Sequence, residues 1–262
     1  MTKNLIKQIM FEKPVEDDSF NTKGFIEKIE SGYLAQAPSK NDKKTKFSPS
    51  KLVYGEGRCP RYWYLAFEGG LFESFSNAYE IANMQGGTKS HERVLDGALM
   101  QSGMAIDVEF KVTTDDGLVH GYCDGLVNWQ DEDYVLELKT CKDESFEYLK
   151  NKGKPRIYNV EQLIIYMKIL NKGKGIVLYE NKNTHELLPF VVVANEHYKK
   201  WVDNLWTWMK EVKGASEAKQ LPIKTYRSNA KVCKKCPLVS ECLKAGAGVI
   251  KIQPLEELSE SM

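Results

Sequence analysis

Two runs decide how this chain is read: Gly121-Tyr122-Cys123-Asp124-Gly125-Leu126-Val127-Asn128-Trp129, and Asp133-Tyr134-Val135-Leu136-Glu137-Leu138-Lys139-Thr140. Both are rich in β-branched and aromatic residues, and Gln130-Asp131-Glu132 between them is turn-forming. The pattern predicts strands over 118–129 and 133–140, joined as an antiparallel hairpin. Strand side chains alternate, so Glu137 and Lys139 share one face and Leu138 takes the other. Asp124 and Glu137 can then lie close across the hairpin. Cys123 points away from Asp124 and reads as a buried filler, as does Cys141 at the end of the Lys139 strand.

Working outward, a third strand is expected over 106–113, joined through Asp115-Asp116-Gly117. Before it, 74–103 reads as a helix interrupted near Gly86-Gly87, with His91, Val94, Leu95 and Ala98 at helical spacing. After the hairpin come a helix over 158–170 stopped by Asn171 and Gly173, and strands over 175–180 and 187–193. Asn195 then caps a long helix reaching about Lys213. Toward the N-terminus, Ser48 is placed to cap a helix opening with Pro49, and Cys59-Pro60-Arg61-Tyr62-Trp63-Tyr64 opens a short aromatic helix. A short helix is expected over 22–31, and 40–46 (KNDKKTK) reads as a linker. Helix, three antiparallel strands, helix, two strands and helix make an α/β architecture, not a series of βα repeats.

The 262 residues suit one large domain or a core with an appended subdomain, and 42% hydrophobic with 28% charged residues is ordinary for a soluble enzyme. The net charge of +1 announces no polyanionic partner. Basic residues nevertheless gather in 149–175 (Lys150, Lys152, Lys154, Arg156, Lys168, Lys172 and Lys174 against Glu161), in 40–61 and in 213–235. Such stretches are either solvated surface or one face for a phosphate backbone. There is no signal-peptide pattern in 1–20 and no bilayer-length apolar run, so a cytoplasmic protein without membrane association is expected. In a reducing compartment, six cysteines argue for metal ligation or burial over disulfides.

Carboxylates on neighbouring strands are a natural cage for a hard divalent cation. An Asp followed by Glu-x-Lys is common by chance, and each accompanying residue has a plain structural explanation: His91 as a core histidine, Gln162 and Tyr166 as a polar fringe on a helix. Together, however, His91 on a helix, Asp124 on a strand, Glu137-Leu138-Lys139 on the next, and Gln162-Leu163-Ile164-Ile165-Tyr166 on a following helix resemble the RecB-like branch of the PD-(D/E)XK nucleases. That resemblance implies a restriction-endonuclease-like core, a mixed central sheet flanked by helices. It implies that His91, Asp124, Glu137 and the Leu138 carbonyl bind Mg²⁺ or Mn²⁺, that Lys139 is the catalytic lysine, and that Gln162 and Tyr166 position substrate or lysine.

Cys233-x2-Cys236-x5-Cys242 needs a fourth partner to close a four-thiolate site, and Cys59 is the candidate. A CxxC alone also suits a zinc knuckle. An isolated Cys-Pro before the core and three cysteines after it resemble the 4Fe-4S nucleases related to the CRISPR-associated DNA exonucleases. The resemblance implies a 4Fe-4S cluster in a subdomain built from both flanks. It also implies exonuclease action on single-stranded DNA ends; from the basic stretches, Lys152, Lys154, Arg156 and Arg61 are the expected DNA contacts.

Tyr54, Tyr62, Trp63 and Tyr64 are placed either to stack bases or to pack around the cluster. The expected organisation is a polar extension over 1–46, a helical part over 47–85, the nuclease core over 86–214 and the cysteine segment with an acidic tail over 215–262. The alternative is a non-catalytic nucleic-acid-binding or assembly partner in recombination or CRISPR spacer acquisition. A homo-oligomer is compatible with either.

Overall fold

A computed structural model of the chain describes residues 21–36, 43–73 and 77–259. Most of the expected polar extension, 40–42 of the expected linker and Glu260 lie outside these residues. The described chain divides into two units. One holds helix α1 (Thr22–Leu34), three residues longer than expected and capped by Asn21, whose Oδ1 accepts from Gly24 N at 2.9 Å, together with 77–82. The other carries the remaining elements and is described by itself below.

Its centre is a five-stranded sheet in the order β1-β2-β3-β4-β5: Ala105–Thr113, His120–Trp129, Glu132–Cys141, Lys174–Asn181 and Leu187–Val193. The first three strands are antiparallel, β3 and β4 are parallel, and β5 returns antiparallel to β4. The β2–β3 hairpin turns at Gln130 and Asp131, both with positive φ (54° and 62°), the mirror-image turn whose twist suits a hairpin. Parallel β3 and β4 need a crossover. Two helices provide it, of which 158–170 was expected.

The unexpected one, named α5 below, covers Asp143–Lys152. Its signals are ordinary ones: Asp143 and Glu144 in the first turn, Phe146 and Leu149 buried three apart, basic residues in the last turn and left-handed Gly153 as stop.

Flanking helices fall where the sequence places them, with local differences. Pro49 opens α2 (Pro49–Leu52) as expected, but the Ser48 side chain makes no cap bond. This single turn closes its donors on the Ser48 carbonyl, which accepts from Lys51 N and Leu52 N, each at 3.0 Å. The aromatic helix α3 (Pro60–Glu68) ends at left-handed Gly69. Helix α4 (Ala78–His91) is not interrupted at Gly86-Gly87; a Cβ at either glycine would meet nothing within 4 Å, so the pair is simply solvent-facing helix. The irregularity comes later, where the helix widens to π geometry over Glu92–Leu99. Helix α6 (Ile157–Ile169) stops at Asn171 (φ 50°), and α7 (Glu196–Glu217) is capped by Asn195, whose Oδ1 accepts from Tyr198 N at 2.8 Å. Short helices α8 (Lys231–Lys234) and α9 (Val239–Lys244) carry the C-terminal cysteines.

The sheet separates two hydrophobic cores. The larger joins α3, α6 and α7 to one sheet face, through residues such as Trp63, Leu163, Leu205 and Val177. The smaller lies under the π-helical stretch and holds Val94, Leu95, Val127, Leu136, Leu138 and Leu178. The last described segment, 251–259, is an extended strap rather than a loose tail. Ile252, Leu255 and Leu258 are buried along it. Leu255 N donates to Arg58 O (2.9 Å), Leu258 N to Glu161 Oε1 (2.7 Å), and the indoles of Trp201 and Trp208 donate to the Glu256 and Gln253 carbonyls. Among the described residues no helix is long and apolar enough to cross a membrane.

Candidate active site

The sheet is irregular at one place, and the candidate residues meet there. The β2–β3 ladder ends at Gly125 opposite Leu136. One step further, Asp124 Oδ2 accepts from Leu138 N at 2.7 Å, so a side chain takes over from the backbone carbonyl. On the other edge of β2, Val108 pairs with Gly125 and Phe110 with Cys123, but Glu109 and Asp124 between them do not pair. Glu109 has a left-handed backbone (φ 47°). In consequence Val108 packs into the small core and Phe110 against the large one, although a regular strand would put both on one face.

Around this break, His91 Nδ1 lies 3.0 Å from Glu109 Oε1 and 3.9 Å from Asp124 Oδ1. Glu137 is fully buried and ion-paired with the Lys139 ammonium. Its Oε2 has no donor, and neither has the buried Gln162 Oε1 on α6. Tyr166, one turn beyond Gln162, donates to the Tyr122 carbonyl at 2.7 Å. This close approach depends on Gly121, where a Cβ would stand 2.9 Å from Tyr166 OH and 3.0 Å from Pro49 Cδ.

The electrostatics follow from burial. Desolvation, with Asp124 nearby, pushes the Glu137 carboxyl up to about 8 although Lys139 opposes it. Burial likewise raises Asp124 against the pull of Lys139 and His91. For Lys139 burial works toward the neutral amine, but Glu137 and Asp124 outweigh it and hold the ammonium charged. Burial and the two carboxylates push the Tyr166 phenol far up. Buried carboxylates without matching donors are costly, and a divalent cation is what would relieve this set. Oxygen ligands with one imidazole suit Mg²⁺ or Mn²⁺. Among the described residues, no three of His, Cys, Asp and Glu already stand as a formed metal-ligand group.

All the expected catalytic residues are thus neighbours, and Cys123 and Cys141 are buried in the large core as read from the sequence. Leu138 places its side chain in the small core. Glu109 was missed, and so was a polar chain beside Lys139. In that chain Tyr54 OH contacts Asn159 Oδ1 (3.3 Å), while Asn159 Nδ2 and Arg156 N both donate to Tyr179 OH (2.7 and 3.0 Å). Burial pushes the Tyr54 phenol up to about 12, with Lys139 the strongest opposing charge. Nothing in a sequence marks a left-handed Glu inside a strand. Asn159 and Tyr179 read as ordinary helix and strand residues.

Of the expected DNA contacts, Lys152 and Lys154 are exposed, and Arg156 Nη1 donates to Tyr158 OH at 2.7 Å. Arg61 is a correction. It is 1% exposed and donates to Cys242 Sγ (3.1 Å) and to the Pro222, Cys242 and Gly246 carbonyls, which makes it an internal brace. Tyr62, Trp63 and Tyr64 are buried as core packing, whereas Tyr54 stays partly exposed against Tyr158, ring centres 4.8 Å apart.

The four cysteines of the sequence pattern also meet. Cys59, Cys233, Cys236 and Cys242 line one cavity of about 40 Å³, walled further by Tyr62, Leu65, Leu238 and Val239. Burial pushes the Cys59 and Cys236 thiols up to about 11 and about 12. A coordinated metal would reverse that, since a ligating thiol is deprotonated outright.

No family model and no curated protein matches the chain. Among solved structures, it is similar to SSO0001, at 18% identity over 84% of this chain and 95% of that one, with a TM-score of 0.40. It is also similar to the alkaline exonuclease LHK-Exo from Laribacter hongkongensis, at 14% identity over 72% and 91% (TM-score 0.47). For the same enzyme in complex with dAMP the values are 15%, 74%, 91% and 0.46. At these identities and TM-scores none of them carries a residue role over to this chain.

Proposed function

We propose that this chain is a divalent-cation-dependent nuclease of the PD-(D/E)XK type that hydrolyses DNA phosphodiesters, acting as an exonuclease on single-stranded ends. The observation that carries the reading is the buried Asp124–Glu137 pair at a break in the sheet, beside charged Lys139, with Glu137 Oε2 and Gln162 Oε1 lacking donors. His91, Asp124 and Glu137, with the Leu138 carbonyl, would hold the cation. When bound, Mg²⁺ or Mn²⁺ would offset charge on the transferring phosphate and lower the pKa of an attacking water.

The chain's own residues do the rest. Lys139 keeps a positive charge next to the carboxylates, where it can orient the water and offset charge on the scissile phosphate. Tyr166 ties the β2 backbone through Tyr122, two residues before Asp124, and so fixes that carboxylate's approach. Tyr54, Tyr158 and Arg156 form a partly exposed aromatic and cationic edge beside the site, suited to bases and phosphates of a single strand.

The cysteine cavity is proposed to hold a 4Fe-4S cluster that fastens the two flanks of the core. Four thiols lining one small cavity, with Arg61 donating to the Cys242 sulfur, support it. Purified anaerobically, such a protein is brown, and a zinc site would leave it colourless.

The test is digestion of end-labelled linear and circular DNA, single-stranded and duplex, with Mn²⁺ or Mg²⁺, by wild type and by Glu137→Ala. Degradation of linear single strands by wild type alone, with circles intact, is the expected result. Binding without cutting by both proteins would instead make the chain a non-catalytic binding partner.

A further inference from the structure

Glu109 is the one strand residue among β1–β3 that pays a backbone cost to stand where it does. A left-handed φ of 47° is unfavourable for any residue with a Cβ, and glutamate has no special tolerance for it. The distortion has a definite result. It unpairs Glu109 and Asp124 and moves the next strand residues to the opposite core. It also sets the Glu109 carboxylate 3.0 Å from His91 Nδ1. His91 also has Asp124 Oδ1 3.9 Å from the same nitrogen, and it sits at the junction where α4 widens. That junction is itself anchored from the far side, since Ser90 and Arg93 both donate to buried Glu180 on β4. The imidazole therefore has its nearest hydrogen-bonding partner, Glu109, at Nδ1.

We propose that Glu109 is a positioning residue that accepts a hydrogen bond from His91 Nδ1–H, fixing the tautomer that leaves the Nε2 lone pair for a ligand. This deepens the metal-dependent nuclease reading and rests on it. The chemistry is general: a ligating histidine commonly donates its other N–H to a carboxylate, and loss of that partner weakens metal binding about 10–100-fold. The broken ladder is then explained by function, because it brings the Glu109 carboxylate to hydrogen-bonding distance of His91, where Asp124 stands only at 3.9 Å.

Two variants separate positioning from structure. Glu109→Gly adopts φ 47° without strain but removes the acceptor. Glu109→Gln keeps an acceptor oxygen and loses the charge. Free Mn²⁺ is measured by electron paramagnetic resonance during titration. The imidazole nitrogen shifts of His91 are read in ¹⁵N-histidine protein without metal, assigned with His91→Gln. The expected result, read in the neutral form of the ring, is protonation at Nδ1 in wild type and in Glu109→Gln, with Mn²⁺ affinities within a few-fold of each other. In Glu109→Gly the tautomers mix and Mn²⁺ binds about 10–100-fold more weakly, while the melting temperature is equal to or above wild type.

Wild-type Mn²⁺ affinity in Glu109→Gly would overturn the proposal. So would a Glu109→Gln as weak as Glu109→Gly, which would make Glu109 a direct ligand. If wild type binds no Mn²⁺, the metal-dependent reading falls, and the nitrogen shifts alone still decide whether Glu109 sets the tautomer.

Discussion

At the scale of single residues, the site stores its cost in Glu137. A carboxyl raised to about 8 in the fold and near 4.5 unfolded favours the folded state only while protonated. Its contribution is therefore full below about pH 4.5 and is lost as pH rises toward 8. Glu137→Gln has no such loss. In chelator, its melting temperature should exceed that of wild type by a few degrees at pH 8 and converge with it near pH 4.5, while cleavage disappears. A melting curve of wild type independent of pH, with the variant lower throughout, would contradict this. Gly121 makes the opposite case, a residue needed for space. Gly121→Ala should cost about 1–3 kcal/mol in denaturant unfolding, because the new methyl meets Tyr166 OH and Pro49 at 2.9–3.0 Å. The residues proposed to bear the chemistry, His91, Asp124, Glu137, Lys139, Gln162 and Tyr166, could be singled out from the sequence because their types and order are unusual together. Glu109 was not, because a single left-handed φ leaves no trace in a pattern read by alternation.

Elements were legible where periodicity and punctuation agree. The five strands, the mirror turn at Gln130-Asp131 and the Asn195 cap all follow from local rules. Helix α5 was missed because only Phe146 and Leu149 mark its buried side, too few for a period. The widened turn after His91 could not be read either, since its cause is tertiary: Val94 and Leu95 reach into the small core against Leu136 and Leu138. That packing makes a prediction at this scale. Leu95→Ala removes a fully buried side chain and should destabilise by about 2–5 kcal/mol. It should also loosen the His91 junction, which hydrogen exchange along 90–99 would report. Unchanged protection there would mean that the Ser90 and Arg93 bonds to Glu180 hold the junction by themselves.

Over the whole molecule, the two flanks are joined twice, by the cysteine cavity and by the strap. Linking Cys59 to Cys233 closes most of the chain into a loop, a restriction on the order of 5 kcal/mol when treated as a cross-link. Cys233→Ser should therefore lower the melting temperature by ten degrees or more and bleach any visible absorbance. A soluble variant with an unchanged melting temperature would remove the cluster's stapling role. The cysteine pattern revealed the first join. The second was hidden, because Ile252, Leu255 and Leu258 lie among glutamates and proline and read as tail. The strap's hydrogen-bond partners, Arg58, Glu161, Trp201 and Trp208, are distant in sequence.

The meeting of Cys59 with Cys242 also sets a timetable for synthesis. At about 5–20 residues per second, Cys59 leaves the ribosome roughly 10–40 s before Cys242 does. For most of that interval Cys59 lacks the other three cysteines of its cavity, with only Cys123 and Cys141 emerging between. Any adventitious copper, zinc or oxidant reaches it before its partners exist. Loading of the proposed four-thiol site can therefore begin only once Cys233, Cys236 and Cys242 have emerged. The yield of active protein should depend on how reducing and how metal-clean the cell keeps that half-minute.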